Sequence, residues 1–247
     1  MTTMKNLLLL VFLFLSYQTV KAQKMDFWLD VGLKAQYGAS MLYNSAIAND
    51  DNWDYTITTS SKLGGKLGIN WNYTGISLDV MVGKHKGVYQ NLTTPTSPDQ
   101  EISMSTVDLY LLFRDARQKG YVEIGPKVSL VGDVKNNPVG GASEIVNSEY
   151  YNSMPLAAVV GFGTYILGND GRFSGILGLR FEYGFSNAVT DLGSSRERLP
   201  SDRQPVNYMG DPSSTNPIFA GLVFEFNWGI GGVGQARCGE KSKFVFF

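Results

Sequence analysis

The stretch ILGLRFEYGFS, residues 176–186, sets charges and glycines against large apolar and aromatic side chains in strict alternation. In an extended chain successive side chains point to opposite faces. Leu179, Phe181 and Tyr183 therefore share one face, and Arg180 and Glu182 share the other. A soluble core strand does not bury such ions, and a soluble surface strand does not carry so many large apolar groups on its second face. An apolar side turned to lipid and a polar side turned to a lumen satisfy both halves of the pattern, as in a membrane-spanning barrel strand.

The same alternation recurs along the chain. Leu29, Val31, Leu33 and Tyr37 stand opposite Asp30 and Lys34, and Leu63, Leu67, Ile69, Trp71 and Tyr73 opposite Lys62 and Lys66. Ile76, Leu78, Val80 and Val82 oppose Asp79 and His85. Val107, Leu109, Leu111 and Phe113 oppose Asp108, Tyr110 and Arg114. Val122, Ile124, Pro126 and Val128 oppose Glu123 and Lys127. Residues 154–167 are apolar on both faces, with Gly161 and Gly163 assigned inward, and Leu222, Phe224, Phe226 and Trp228 oppose Glu225. About eight strands result, each near the ~9–11 residues that a tilted spanning strand needs. The expected fold is all-β: a closed, antiparallel, eight-stranded, transmembrane up-and-down β-barrel.

The connections alternate in length. MLYNSAIANDDNWDYTITT, NLTTPTSPDQ, NNPVGGASEIVNSEYYNS and NAVTDLGSSRERLPSDRQPVNYMGDPSSTN are long, whereas NYTG, RDARQKG and GNDG are short. Long outer loops and short periplasmic turns are the habit of outer-membrane barrels. An even strand number then leaves both termini in the periplasm. Aromatic belts are expected at the two lipid–water boundaries, with Trp71, Tyr73, Phe113, Tyr121, Phe173 and Trp228, together with Phe27 and Trp28, at the periplasmic ends. Tyr37, Tyr183 and Phe185 fall at the outer ends.

The chain begins MTTMKNLLLLVFLFLSYQTVKAQ, with a basic residue, a short apolar run and a small residue at Ala22. That order predicts a signal peptide over residues 1–22, a barrel over 23–229 and a periplasmic tail over 230–247. The formal net charge of −1 argues against a nucleic-acid partner, and the single cysteine, Cys238, leaves no internal disulfide.

On the inward face, Asp30, Lys34, Lys62, Lys66, Asp79, Asp108, Arg114, Glu123, Lys127, Arg180, Glu182 and Glu225 are expected to form a lumenal charge network. Its near balance of signs points to paired ions rather than a selective ring, and an eight-stranded barrel has room only for its own side chains. No diffusion pore, cofactor or metal site is expected. GIGGVG opens no helix after a strand and so lacks the context of a nucleotide loop, and the Asn91-Leu-Thr sequon reads as incidental. The only histidine, His85, is placed at the outer rim, where a general base would be useful. Lys84 and Lys86 flank it, and Asp99 and Ser103 are the cross-strand candidates to pair with it. It reads as an ordinary rim residue.

In FAGLVFEFNW, Gly221, Phe224 and Phe226 have the spacing of the terminal-strand signal read by the barrel assembly machinery, although GIGGVGQARCGEKSKFVFF follows it. With the alternation, the KAQ end of the leader, YVEIGPKVS in the fifth strand and this closing strand, residues 26–229 resemble the PorT-like family of small outer-membrane barrels. The resemblance implies an integral outer-membrane location and a non-enzymatic part in protein secretion or envelope assembly. The implied partners are outer-membrane lipids and lipopolysaccharide, the assembly machinery during insertion, and other outer-membrane or periplasmic proteins. Loop residues Trp53, Tyr55, Arg196, Arg198 and Arg203 are candidate contacts. The alternatives are a stand-alone barrel for adhesion or lipid contact, or a rim-active lipid A or peptide hydrolase using His85.

Overall fold

The structure, a computed structural model, describes residues 25–49, 52–92, 99–117, 119–138, 141–168, 173–195, 213–234 and 243–246. The expected signal peptide, Cys238, Arg196, Arg198 and Arg203 lie outside these residues. Eight long strands form the wall: β1 (Met25–Asn44), β3 (Thr58–Trp71), β4 (Thr74–Asn91), β5 (Gln100–Arg117), β6 (Gly120–Pro138), β8 (Leu156–Leu167), β9 (Phe173–Gly184) and β10 (Thr215–Gly234). Each pairs antiparallel with its neighbour, and β1 pairs with β10 to close the ring. Three short strands are appended: β2 (Trp53–Thr56) on β4, β7 (Glu144–Val146) on β6 and β11 (Lys243–Phe246) on β10.

The register fixes the shape. Leu29 is opposite Ile69, Ile69 opposite Ile76, and the path continues through Phe113, Ile124, Val160, Phe181 and Ala220. Ala220 then meets Ala39 of β1. The circuit returns to β1 ten residues beyond its start at Leu29. A stagger of that size over eight strands, at ~3.3 Å per residue and ~4.8 Å between strands, tilts the strands by about 40°. Every residue on this circuit points outward and is apolar. This is a transmembrane β-barrel: its large exposed hydrophobic residues, Leu67, Leu78, Leu111, Phe162, Phe181 and Phe224 among them, cover the wall, while its buried residues are rich in charge. In water that arrangement would expose far more contiguous apolar surface than a soluble protein tolerates, and a closed ladder is one of the two backbone solutions that lipid permits.

The wall is uneven in height. At this tilt, the 12 residues of β8 and of β9 rise about 30 Å, close to the ~25 Å apolar band of such barrels. The 18 residues of β4 and of β5 and the 19 of β6 carry their loop ends well above it. Parts of the long connections expected from sequence are therefore strand, among them residues 41–44, 53–56, 136–138 and 144–146. Asn44 ends β1, and its side chain accepts from Ala46 N at 2.8 Å, capping a helical turn Ser45–Ala48. Residues 147–155 and 185–195 are stitched together by Tyr151 pairing with Val189 and by bonds such as Asn152 N to Ala188 O, 2.8 Å.

At the other end, β10 continues past Trp228 to Gly234, with Gly231 to Gly234 pairing on one side with Met25 to Leu29 and on the other with β11. β10 thus runs five residues past the boundary expected at residue 229, with the β1 start supplying partners for four of them, and part of the expected tail, Lys243–Phe246, is a strand. Within the wall, the β5–β6 ladder lapses between Tyr110↔Lys127 and Phe113↔Ile124. Pro126 lies in the gap and has no N–H to give. Pro126→Ala restores that donor, and about 1 kcal/mol of added stability is expected in a urea titration of the bilayer-inserted protein.

Candidate functional site

The lumen is stacked in three zones: a polar cavity at the turn end, an ionic middle and an apolar cap at the loop end. Strand alternation positions the middle. The twelve charged residues named from sequence are all buried and all inside the ring. They are six bases and six acids, so the twelve together carry no net charge. Each base bridges two carboxylates.

Two closed circuits result. In the larger, Lys34 joins Asp79, Arg180 spans Asp79 (3.4 Å) and Glu123 (2.6 Å), Arg114 spans Glu123 (2.7 Å) and Glu225 (2.8 Å), and Glu225 returns to Lys34 at 3.0 Å. Lys66 hangs on this circuit, 2.8 Å from Glu225 and 3.4 Å from Asp30. In the smaller, Lys62 and Lys127 both hold Asp108 and Glu182, with Lys127 2.7 Å from Glu182. The two meet at Tyr110, whose hydroxyl donates to Glu182 at 2.9 Å and whose ring lies 4.9 Å from the Arg180 guanidinium carbon.

Such closure decides what the lumen does. A buried ion is tolerable only when paired and hydrogen-bonded, and here each ion is held by opposite charges from other strands. The middle therefore ties the wall across the lumen and leaves no unpaired ring of one sign to draw ions through. Purified protein in planar bilayers is expected to give no steady ion conductance; stepwise openings in the range of water-filled porins would contradict the closed lumen.

The cap is apolar. Leu42, Ile47, Tyr89, Ile102, Met104, Val134, Tyr151 and Val189 form one buried cluster, with Trp53, Tyr55 and Tyr150 packed against it. Trp53 and Tyr55 thus help build the cap rather than extend freely from a loop. Leu42, Tyr89, Ile102 and Met104 lie in β1, β4 and β5 beyond the strand ends expected from sequence, where they keep the inward parity of Lys34, Asp79 and Asp108, whereas Ile47, Tyr151 and Val189 come from connections whose folding has no period to read.

The belt residues divide. Trp71, Tyr73, Phe113 and Trp228 are exposed at the turn end, where Phe173 is partly exposed, and Tyr37, Tyr183 and Phe185 are exposed toward the loop end. Tyr121 is not a belt residue: it is 3% exposed, on the same face as Glu123, with the Arg114 guanidinium 4.4 Å from its ring. Its place at a strand end suggested lipid contact, but its parity with Glu123 and the pull of a cation on an aromatic face govern it. Trp28 also turns inward and lines the cavity. Phe219, missed from sequence, fills the lumen beside Lys62, 5.3 Å from its ammonium.

In the closing strand Phe224 and Phe226 face outward, while Gly221 lies opposite Gly38. A side chain at Gly221 would strike the backbone of Tyr37 and Gly38, so the residue permits the close approach of β10 to β1. His85 is not on the rim. It is 4% exposed inside the wall, with Nε2 3.1 Å from the Met41 carbonyl and 3.4 Å from Ser40 Oγ, and Nδ1 makes no hydrogen bond among the described residues. Ser103 pairs with Lys86, one position out of phase, so it takes the opposite face from His85. Among the described residues, no group of three or more His, Cys, Asp and Glu side chains stands ready to hold a metal.

No protein-family model matches the chain, and neither does any curated protein. Solved structures do resemble it in fold. Neisserial surface protein A is 11% identical, with 81% of this chain and 96% of that one covered and a TM-score of 0.39. The outer membrane protein OprG from Pseudomonas aeruginosa is 12% identical, with 83% and 97% covered and a TM-score of 0.33. Ail of Yersinia pestis, solved with the heparin analogue sucrose octasulfate, is 12% identical, with 80% and 99% covered and a TM-score of 0.36. Likeness at this level says nothing about ligands or partners.

Proposed function

We propose that this chain is a closed, non-enzymatic outer-membrane barrel, turns and termini in the periplasm and tall loop end outside, that serves as an accessory or structural subunit of a secretion or envelope-assembly complex of the PorT-like kind. The observation that carries this reading is the pairing of a sealed, charge-neutral lumen with a wall that rises above the apolar band on the β4–β6 side and holds its own apolar core. A barrel with no conduit acts through its surfaces. Outer-membrane lipids and lipopolysaccharide meet the belt, the assembly machinery meets β10 with Phe224 and Phe226 outward, and envelope proteins meet the raised wall. The near-neutral charge supports no nucleic-acid partner.

A hydrolase reading would need His85 oriented by a carboxylate and open to substrate. Its burial and its two oxygen neighbours, a carbonyl and a serine hydroxyl, favour a packing role. Affinity purification of the tagged protein from native outer membranes in mild detergent, with sizing and mass spectrometry, tests the subunit reading. Stoichiometric envelope partners support it. A lone, heat-modifiable band of the protein's own mass overturns it in favour of a stand-alone barrel for adhesion or lipid contact.

A further inference from the structure

Beneath the ionic network, at the turn end of the lumen, lies a cavity of about 310 Å³. Its floor is built by three polar side chains that lie flat on glycines directly across the ladder. Asp30 lies over Gly68, Asn70 over Gly75 and Asn227 over Gly32. A Cβ at these glycines would come within 1.9, 2.4 and 2.3 Å of the respective side-chain oxygens. Any larger residue there would push the polar groups up into the space; with glycine they stay down and the space stays open.

The lining chemistry is specific. Asp30 Oδ1 and Asn70 Nδ2 are buried without a hydrogen-bond partner among the described residues, one an acceptor and the other a donor. Trp28 and Tyr165 add aromatic surface, and Asn227, Arg114 and Lys66 add further polar groups. The charges are already matched: Arg114 and Lys66 are held by Glu225, and Lys66 also by Asp30. A phosphate would meet the Asp30 carboxylate, and an ammonium would meet Lys66 and Arg114. A neutral ring with donors and acceptors around its rim and flat, weakly polar faces meets neither penalty. The volume stands at the small end of ligand pockets.

We infer that this cavity binds one neutral sugar ring, either a free monosaccharide or the terminal unit of a glycan chain, with its hydroxyls on Asp30 and Asn70 and a face against Trp28 or Tyr165. The inference goes beyond the proposed role of the loop end, since it concerns the opposite end of the lumen and is read on the isolated protein.

Isothermal titration of the folded protein, in a detergent without a sugar headgroup, tests it. The probes are glucose and N-acetylglucosamine as free rings and the β-1,4-linked N-acetylglucosamine tetramer as a chain end, with inorganic phosphate and ethylammonium as charged controls. A dissociation constant on the order of 1 mM is expected for a free ring. Asn70→Ala and the cavity-filling Ser174→Phe are each expected to weaken binding at least about tenfold, and either variant that keeps heat-modifiable migration suffices. Equal or tighter binding of the tetramer identifies a chain end as the ligand, and binding of the free ring alone identifies a monosaccharide. Absence of binding by every sugar, tighter binding of phosphate or ethylammonium, or sugar binding unchanged in a folded variant overturns the assignment.

Discussion

Replacing Arg180 with methionine is expected to lower the stability of the bilayer-inserted barrel by about 3 kcal/mol or more in a urea titration. Arg180 is 0% exposed and its guanidinium serves both Asp79 and Glu123, with Nε and Nη2 on Glu123. Methionine matches much of its length but removes one of six cations, so the larger circuit opens and the lumen gains a net negative charge. Lys34 and Arg114 still reach Asp79 and Glu123, which places the loss near the lower end of the ~3–5 kcal/mol measured when one member of a buried pair is removed. Neutrality returns when Glu123→Gln is added. The double variant is therefore expected to be less destabilised than the sum of the singles by at least about 1 kcal/mol. Simple additivity would mean that the ions do not act as a circuit. Arg180→Lys is also expected to be destabilising, since an ammonium lacks the planar fork that reaches two carboxylates.

The second large effect is expected on the outside. Leu111 is 53% exposed in the middle of β5, and its row includes Leu78 and Leu67. By the rules of soluble proteins, a charge at such a position costs little. In lipid, Leu111→Arg is expected to cost about 2–4 kcal/mol because the guanidinium sits near the bilayer midplane. Ile145 of β7 is 68% exposed on the raised wall, above the band, and Ile145→Arg is expected to change stability by less than about 0.5 kcal/mol. The contrast between two exposed aliphatic residues, read in the same bilayer titration, separates a membrane barrel from any soluble one. Equal costs would remove the membrane reading.

These two variants also show what the sequence makes legible. Period-2 alternation assigns Arg180 and Leu111 to opposite faces without any structure, because a strand leaves no third option and lipid and lumen demand opposite chemistry. The same rule collects all twelve lumenal charges. It does not show that they join in two circuits meeting at Tyr110. Which base meets which acid depends on the stagger around the ring, set by the registers of eight separate ladders. Tyr121 illustrates a different limit: depth along a strand suggested a lipid boundary, while parity with Glu123 already placed it inside. Parity is the stronger guide because it is fixed by the backbone, whereas depth depends on where the band falls. The raised wall was hidden by polar, turn-forming residues such as Asn44, Asn49 and Asn52, which read as loop although β1, β2 and β4 pair through or beside them. The cap was hidden because Ile47, Tyr151 and Val189 come from three connections that only the closed barrel brings together.

The central claim is that the apolar wall faces lipid chains while the ions are sealed within. Nitroxide labels placed singly at residues 78, 111, 160 and 145, in a Cys238→Ser background reconstituted in bilayers, test it most directly through their collision rates with oxygen and with a water-soluble nickel chelate. At 78, 111 and 160, relaxation is expected to be enhanced strongly by oxygen and hardly by nickel; at 145 the order reverses. Nickel reaching all four positions alike would contradict the account, since the wall would then face water.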